Sequence, residues 1–142
     1  MARRLRYPYT LTRFDLFAEC TRPQLRLIAS LFTTVRVPEG TVVMREGTFG
    51  REFLIVADGQ AEVSQGSEAD TRLMNVVGNG AVLGEMALLN RAPRAATITT
   101  ISSTVVLACN AGEFGALMEV APSAATKIRH IAATRMEQNL AA

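Results

Sequence analysis

The sequence predicts a mainly β fold, an eight-stranded jelly-roll β-roll with flanking N- and C-terminal helices. Three observations lead to this fold class. Short β-branched segments, separated by Gly, Asp, Asn and Ser, follow one another from residue 35 to residue 109. Eight of the ten glycines fall between Gly40 and Gly84, where tight corners would need them. Helical patterns with capping signals precede and follow this region, so we expect helices on either side of a jelly roll.

The segment 10–33 is predicted to be helical. Thr21 and Gln24 have the spacing of a capping box, and Pro23 is tolerated in a first helical turn. An apolar face follows at helical spacing, formed by Leu25, Ile28, Leu31 and Phe32. A short extra turn is predicted just before this helix, where Phe14, Leu16 and Phe17 lie.

The β-roll is predicted to span residues 34–109. Asp58-Gly59 separates the apolar segments EFLIVA and QAEVSQ, and this dipeptide predicts a two-residue β-hairpin. Asn110 and Glu113 then form a second capping box that opens the C-terminal helices, residues 110–140. On the last helix, Ile128, Ile131, Ala132 and Arg135 share one face. We therefore expect one domain over residues 1–142.

Composition and charge exclude several classes of protein. A hydrophobic content of 49% with 20% charged residues is typical of globular proteins, and a net charge of +2 is too small to predict nucleic-acid binding. No apolar run is long enough for a membrane span, and the basic start is not followed by the apolar core of a signal peptide. Cys20 and Cys109 are predicted to be free thiols in a cytoplasmic protein.

Residues 84–97, GEMALLNRAPRAAT, hold charges within an apolar segment. If Glu85 begins a short helix that ends at Leu89, Gly84 lets the backbone approach a ligand and the first helical N–H groups attract an anion. Arg94 could clamp the same anion, since guanidinium binds phosphate in a bidentate manner. The carboxylate of Glu85 would be repelled by phosphate but would accept a hydrogen bond from a sugar hydroxyl. Phosphate and hydroxyl together describe a nucleotide.

A family resemblance is carried by this same stretch. GNGAVLGEMALLNRAPRAATIT is similar to the phosphate-binding cassette of cyclic nucleotide-binding domains, as in protein kinase A regulatory subunits, the bacterial catabolite activator and cyclic nucleotide-gated channels. VPEGTVVMREGTFGREFLIVADGQAEV, residues 37–63, resembles the early β-roll of that family, including the glycines at 40, 47, 50 and 59. The resemblance places the cassette at residues 78–97.

The resemblance implies a role for each residue that matches the motif. Glu85 would bind the ribose 2′-hydroxyl and Arg94 the cyclic phosphate. Family members that prefer cGMP tend to have Thr after this Arg; the residue here is Ala95, so cAMP is favoured over cGMP. Many family members cap the base with a residue of a C-terminal helix, and Arg135 is the candidate for that role here, with Met136 as its neighbour. The alternative is that Arg135 is an ordinary residue of the helix surface. The implied ligand-binding set comprises Leu83, Gly84, Glu85, Met86, Ala87, Arg94, Ala95, Ala96 and Arg135, with no metal and no catalytic residue.

Two positions depart from the family pattern. Leu83 occupies a place where an aromatic residue commonly precedes the cassette glycine. Arg51 occupies a place where an acid often follows Gly50, and family members often orient the phosphate-binding Arg through a nearby acid. At this position, therefore, the chain lacks the acid that would orient Arg94 in the family pattern.

Other functions remain open at the level of sequence. Glu85 and Arg94 could form an internal salt bridge that holds a loop, and Arg91 is expected to be a solvated loop residue. A cupin-type enzyme is disfavoured because His130 is the only histidine, and no Ser or Cys has a nucleophile setting. The prediction is a regulatory cyclic nucleotide sensor that moves its C-terminal helices for an unknown effector. The alternatives are a degenerate β-roll interaction module and the sensor half of a catabolite-activator-type regulator, which would need a helix-turn-helix beyond this chain.

Overall fold

The computed structural model describes residues 3–4 and 11–141, with side chains described for residues 11–138. Thr10, the first residue of the predicted N-terminal helical segment, lies outside this range. The strands are β1 (Arg3–Arg4), β2 (Thr33–Val37), β3 (Val42–Met44), β4 (Glu52–Asp58), β5 (Ala61–Gln65), β6 (Arg72–Val77), β7 (Val82–Leu83), β8 (Thr97–Thr100) and β9 (Thr104–Asn110). The helices are α1 (Arg22–Leu31), α2 (Glu85–Asn90), α3 (Ala111–Val120) and α4 (Pro122–Ala141).

The strands form two antiparallel sheets. One sheet has the order β1-β2-β9-β4-β7 and the other the order β3-β8-β5-β6. Eight of these strands lie between Thr33 and Asn110, in the region predicted to form the roll, and helices flank them on both sides. The predicted fold class is therefore confirmed.

Strand β4 shows how the two layers of the core are divided. Its five central residues are all buried, although successive side chains of a strand point to opposite faces. Phe53 and Ile55 pack in a core cluster with the helices, whereas Leu54 and Val56 pack in a second cluster between the sheets. The continuous apolar segment is thus explained by a sheet that is covered on both faces.

Both predicted capping boxes are present. The Thr21 hydroxyl accepts the N–H of Gln24, and the Gln24 side chain accepts the N–H of Thr21 in return. Asn110 and Glu113 make the same reciprocal pair at the start of α3. Of the predicted apolar face, Ile28 is fully buried, and Leu25, Leu31 and Phe32 pack against the same core.

The predicted two-residue hairpin at Asp58-Gly59 is wrong. Strands β4 and β5 do not pair with each other, because β4 lies in the first sheet and β5 in the second. Gly59 has a φ of 122°, and its N–H donates to the Asn79 side chain at 2.9 Å instead of closing a hairpin. The glycine therefore turns the chain from one sheet to the other.

Helix α4 packs against the core with one face. Ile128 and Ala132 are buried and Ile131 packs against the core, as the sequence spacing predicts. Within the described part of the chain, no helix has both the length and the apolar character needed to cross a membrane.

Candidate ligand-binding site

A cavity of about 380 Å³ opens between the second sheet, the cassette and α4. Its wall is formed by segments that lie far apart in the sequence, because strands of both sheets, α2 and residues 135 and 138 of α4 all contribute to it. All nine residues predicted to bind ligand line this cavity: Leu83, Gly84, Glu85, Met86, Ala87, Arg94, Ala95, Ala96 and Arg135.

Gly84 directs the chain into α2. Its φ is 91°, in the left-handed region that favours glycine, and it immediately precedes the helix. A Cβ atom at this position would lie 2.6 Å from Nη1 of Arg94 and 2.6 Å from the carbonyl oxygen of Glu52. The short helix predicted to begin at Glu85 is present and extends to Asn90, one residue beyond the predicted end.

Glu85 is a buried carboxylate with a cationic partner. Only 1% of its surface is exposed, and its carboxylate accepts hydrogen bonds from Nη1 of Arg135 and from the Met86 N–H, the latter at 3.2 Å. Burial raises the pKa of the Glu85 carboxyl, because desolvation disfavours the charged form, while the charge of Arg135 opposes that shift. Arg135 thus compensates part of the cost of burying this acid.

Arg94 is a buried guanidinium held by carbonyl groups. It is 8% exposed, and it donates from Nη1 to the Gly84 carbonyl at 3.1 Å and from Nη2 to the Glu52 carbonyl at 2.9 Å. Burial lowers its pKa, while the negative charges of Glu52 and Glu85 oppose that shift. Among the described residues no carboxylate lies within 4 Å of it, so the alternative of a Glu85–Arg94 salt bridge is not seen.

The backbone of Arg94 is anchored to the loop between β3 and β4. Its N–H donates to the Thr48 carbonyl at 2.7 Å, and its carbonyl accepts the N–H of Gly47 at 2.9 Å. Arg51, which replaces the acid common in the family, is exposed. Family members often orient the phosphate-binding Arg through an acid. In this chain, main-chain carbonyls hold the Arg94 guanidinium instead. The other departure, Leu83, is a buried residue of the core between the sheets.

Of the other residues discussed from the sequence, Arg135 lines the cavity, whereas Met136, Arg91 and His130 do not. Arg135 reaches the cavity from α4 and bonds Glu85, whereas its neighbour Met136 is 42% exposed and is not part of the cavity lining. Arg91 and His130 are exposed, as expected, and Arg91 adopts a left-handed conformation at the end of α2.

Several lining residues were not predicted. They come from β-strands and from the end of α4, and they are Met44, Val63, Gln65, Met74, Asn75, Val77, Ile98 and Gln138. Most are apolar residues that a strand pattern assigns to the core, so the sequence carries no signal that they face a cavity. Gln138 lies three residues after Arg135, and this helical spacing was the one available signal.

The arrangement is suited to a ligand with one anionic group and one hydroxyl group. Glu85 and Arg135 neutralise each other, so Arg94 is the cation left without a carboxylate partner among the described lining residues. Apolar side chains provide most of the second-sheet wall, where a flat ring could be buried.

Comparison with known proteins agrees with this description. The family model for the cyclic nucleotide-binding domain matches residues 34–120, more than half of the chain. A Rhodopseudomonas palustris protein assigned as a potassium channel is 32% identical over 92% of this chain and 31% of its own length. This chain thus spans about a third of that relative.

Two solved structures have the same fold. The Thermus thermophilus catabolite activator protein has a TM-score of 0.77 and 25% identity, covering 87% of this chain and 58% of the other. The regulatory domain of Toxoplasma gondii protein kinase A with cAMP has a TM-score of 0.71 and 31% identity, covering 86% and 46%. Domains of this family are regulatory and not catalytic. The chain belongs to the cyclic nucleotide-binding domain family.

Proposed function

We propose that this chain is a cAMP sensor that binds its ligand in the cavity, prefers cAMP to cGMP, and transmits occupancy through α4. One observation carries the proposal: a buried carboxylate, Glu85, and a buried guanidinium, Arg94, line the same cavity without pairing with each other. Arg135 already compensates the charge of Glu85, whereas Arg94 is bonded only to carbonyl groups and has no anionic partner among the described residues. A nucleotide supplies a phosphate for Arg94 and a hydroxyl that can donate to Glu85.

Arg94 is the proposed phosphate ligand. A guanidinium has five N–H donors, and two carbonyls occupy one donor each from Nη1 and Nη2. The other donors can bind an anionic oxygen, and the carbonyl bonds orient the group without cancelling its charge. A cyclic phosphodiester carries one negative charge, which matches Arg94, the cation of the described cavity lining that lacks a carboxylate partner.

Glu85 is the proposed ligand of the ribose 2′-hydroxyl. An ionised carboxylate accepts hydrogen bonds at both oxygens and has about four lone-pair positions. Arg135 and the Met86 N–H already use some of these, and a hydroxyl can use another. Main-chain N–H groups of Gly84, Ala87 and Ala95 would assist Arg94 at the phosphate, with Leu83 and Ala96 in the surrounding wall. The Met86 N–H would join them by exchanging its bond to Glu85 for one to the phosphate.

Preference for cAMP is proposed from Ala95. This residue lines the cavity beside Arg94 and has no hydroxyl with which to reach a guanine. Arg135 remains the proposed cap over the base, because it lines the cavity from α4, after the buried Ala132.

The proposed signal is a shift in the position of α4. Arg135 and the ligand hydroxyl bond the same carboxylate, so occupancy changes a contact that holds α4 to the cassette. A ligand shifts such an equilibrium only by its different affinity for the two arrangements. Hydrogen exchange over residues 123–138 tests this step; equal protection with and without cAMP would contradict it.

Titration calorimetry of this chain with cAMP and with cGMP is the primary test. We expect binding of both, with the tighter binding for cAMP. Absence of binding by either nucleotide at millimolar concentration would instead favour the degenerate interaction module.

We also propose that the effector is separate from this sensor and that the sensor is cytoplasmic. Because the chain spans about a third of the channel-like relative and about half of the two solved chains, we propose that such a sensor acts on an effector supplied by another domain or protein. Two free cysteines support the proposed cytoplasmic location.

A further inference from the structure

Gly50 lies directly against the guanidinium group of Arg94. A Cβ atom on Gly50 would overlap Cζ, Nε and Nη2 of Arg94, so no other residue fits while Arg94 keeps its position. The φ of Gly50 lies outside the left-handed region, whereas those of Gly47 and Gly84 lie within it. Backbone conformation therefore does not explain glycine at position 50, and the space taken by Arg94 does.

We propose that Gly50 is a positioning residue for the anion-binding group of this chain. By leaving space for the guanidinium, it allows Nη1 to reach the Gly84 carbonyl and Nη2 to reach the Glu52 carbonyl at the same time. This inference rests on the proposed function only where it identifies the anion as the phosphate of a cyclic nucleotide.

The surrounding loop shows that Arg94 is held as one unit with Gly50. The Arg94 N–H donates to the Thr48 carbonyl, and the Gly47 N–H donates to the Arg94 carbonyl. Nη2 of Arg94 donates to the Glu52 carbonyl at the other end of the same segment. Gly50 lies within this same loop, directly against the guanidinium. The loop thereby replaces an orienting acid, which is consistent with an exposed Arg51 at the position where an acid is common.

A methyl group at position 50 should displace Arg94 without unfolding the domain. The atoms that it would meet belong to the far end of a flexible side chain and not to the backbone. A displaced guanidinium loses both carbonyl bonds, and its remaining donors no longer have a fixed direction. The expected defect is therefore in anion binding far more than in folding.

Gly115 provides a matched control for the substitution. It lies in α3, its φ is outside the left-handed region, and an added Cβ would meet no atom within 4 Å. Gly115→Ala thus makes the same chemical change with no effect on Arg94, and it should leave nucleotide affinity unchanged.

The experiment is a double-mutant cycle between Gly50→Ala and Arg94→Ala, with calorimetric affinities for cAMP and cGMP. We expect Gly50→Ala to weaken both nucleotides by about tenfold or more, since they share the phosphate. In the Arg94→Ala background, the same change should alter affinity by less than about twofold, because the group it displaces is gone.

A second readout needs no ligand. The Nε–H resonance of Arg94, assigned by its loss in Arg94→Ala, should shift or broaden in Gly50→Ala and stay unchanged in Gly115→Ala. Melting temperatures of the variants verify that each is folded.

The two proposals fail in different ways. An unchanged Arg94 resonance in Gly50→Ala, or an equal affinity loss in both backgrounds, would overturn the role of Gly50 and leave nucleotide binding intact. A shifted resonance in a chain that binds neither nucleotide would support the role of Gly50 in placing Arg94 and overturn the proposed function.

Discussion

Glu85 and Arg135, fifty positions apart in the chain, form an ion pair in the cavity lining, and the carboxylate is almost fully buried while the Arg135 side chain is 32% exposed. The pair joins the cassette to the last helix. Glu85 is the proposed ligand of the sugar hydroxyl, and it is already bonded to Arg135 of α4, the helix that we propose to move. Ligand recognition and the position of α4 therefore both depend on the Glu85 side chain.

Arg135→Ala should destabilise the domain at neutral pH. The substitution leaves Glu85 buried without its cation, and we expect a loss of about 1–3 kcal/mol, less than for a fully buried pair because Arg135 is partly exposed. Chemical denaturation measures this loss. Arg129→Ala, which removes an exposed arginine of the same helix, is the control and should have little effect. Equal stability of the two variants would contradict the structural importance of the pair.

Stability should depend on pH through Glu85. Burial raises the pKa of this carboxyl above its ordinary value of 4.5, so between that value and the raised pKa the folded state binds more protons than the unfolded state. The contribution of Glu85 to stability is therefore complete below pH 4.5 and is lost as the pH rises through the raised pKa. Melting curves of wild type and Glu85→Gln measure it: wild type should lose stability relative to the variant over this window. A pH-independent difference would contradict the raised pKa.

Arg94→Lys should weaken nucleotide binding although the charge is kept. An ammonium group lacks the planar fork that bonds two carbonyls at once, so we expect a loss of about tenfold or more for cAMP and for cGMP alike. Calorimetry measures both affinities. Arg91→Lys makes the same charge-preserving exchange at an exposed position and is the matched control, which should leave both affinities unchanged. A similar loss in Arg91→Lys would show that the effect is not specific to a phosphate ligand at position 94.

Ala95→Thr should shift the nucleotide preference towards cGMP. The added hydroxyl can bond a guanine, and one such hydrogen bond changes the ratio of the two affinities by about tenfold. Ala95→Val adds a side chain of nearly the same shape without the hydroxyl and serves as the control. If both variants changed the ratio equally, the effect would come from side-chain volume and not from the hydroxyl.

Local patterns predicted those parts of the structure that depend on neighbouring residues. The capping boxes at Thr21 and Asn110 join residues three positions apart, so their spacing is sufficient to identify them. The same reasoning failed at Asp58-Gly59, where a local hairpin signal took no account of which sheet each strand would join. Strand pairing depends on both faces of each strand, and no short window contains that information.

The sequence by itself determined the β-roll with its flanking helices and the contiguous cassette that contains Glu85 and Arg94, because a motif of adjacent residues is visible without a fold. Tertiary structure alone decided which groups meet those two charges. It paired Glu85 with Arg135, gave Arg94 the carbonyls of Gly84 and Glu52 in place of an acid, and brought Gly50 against the guanidinium. The physical reason is that a buried charge must be compensated by whatever packing brings within reach, and those partners are far away along the chain.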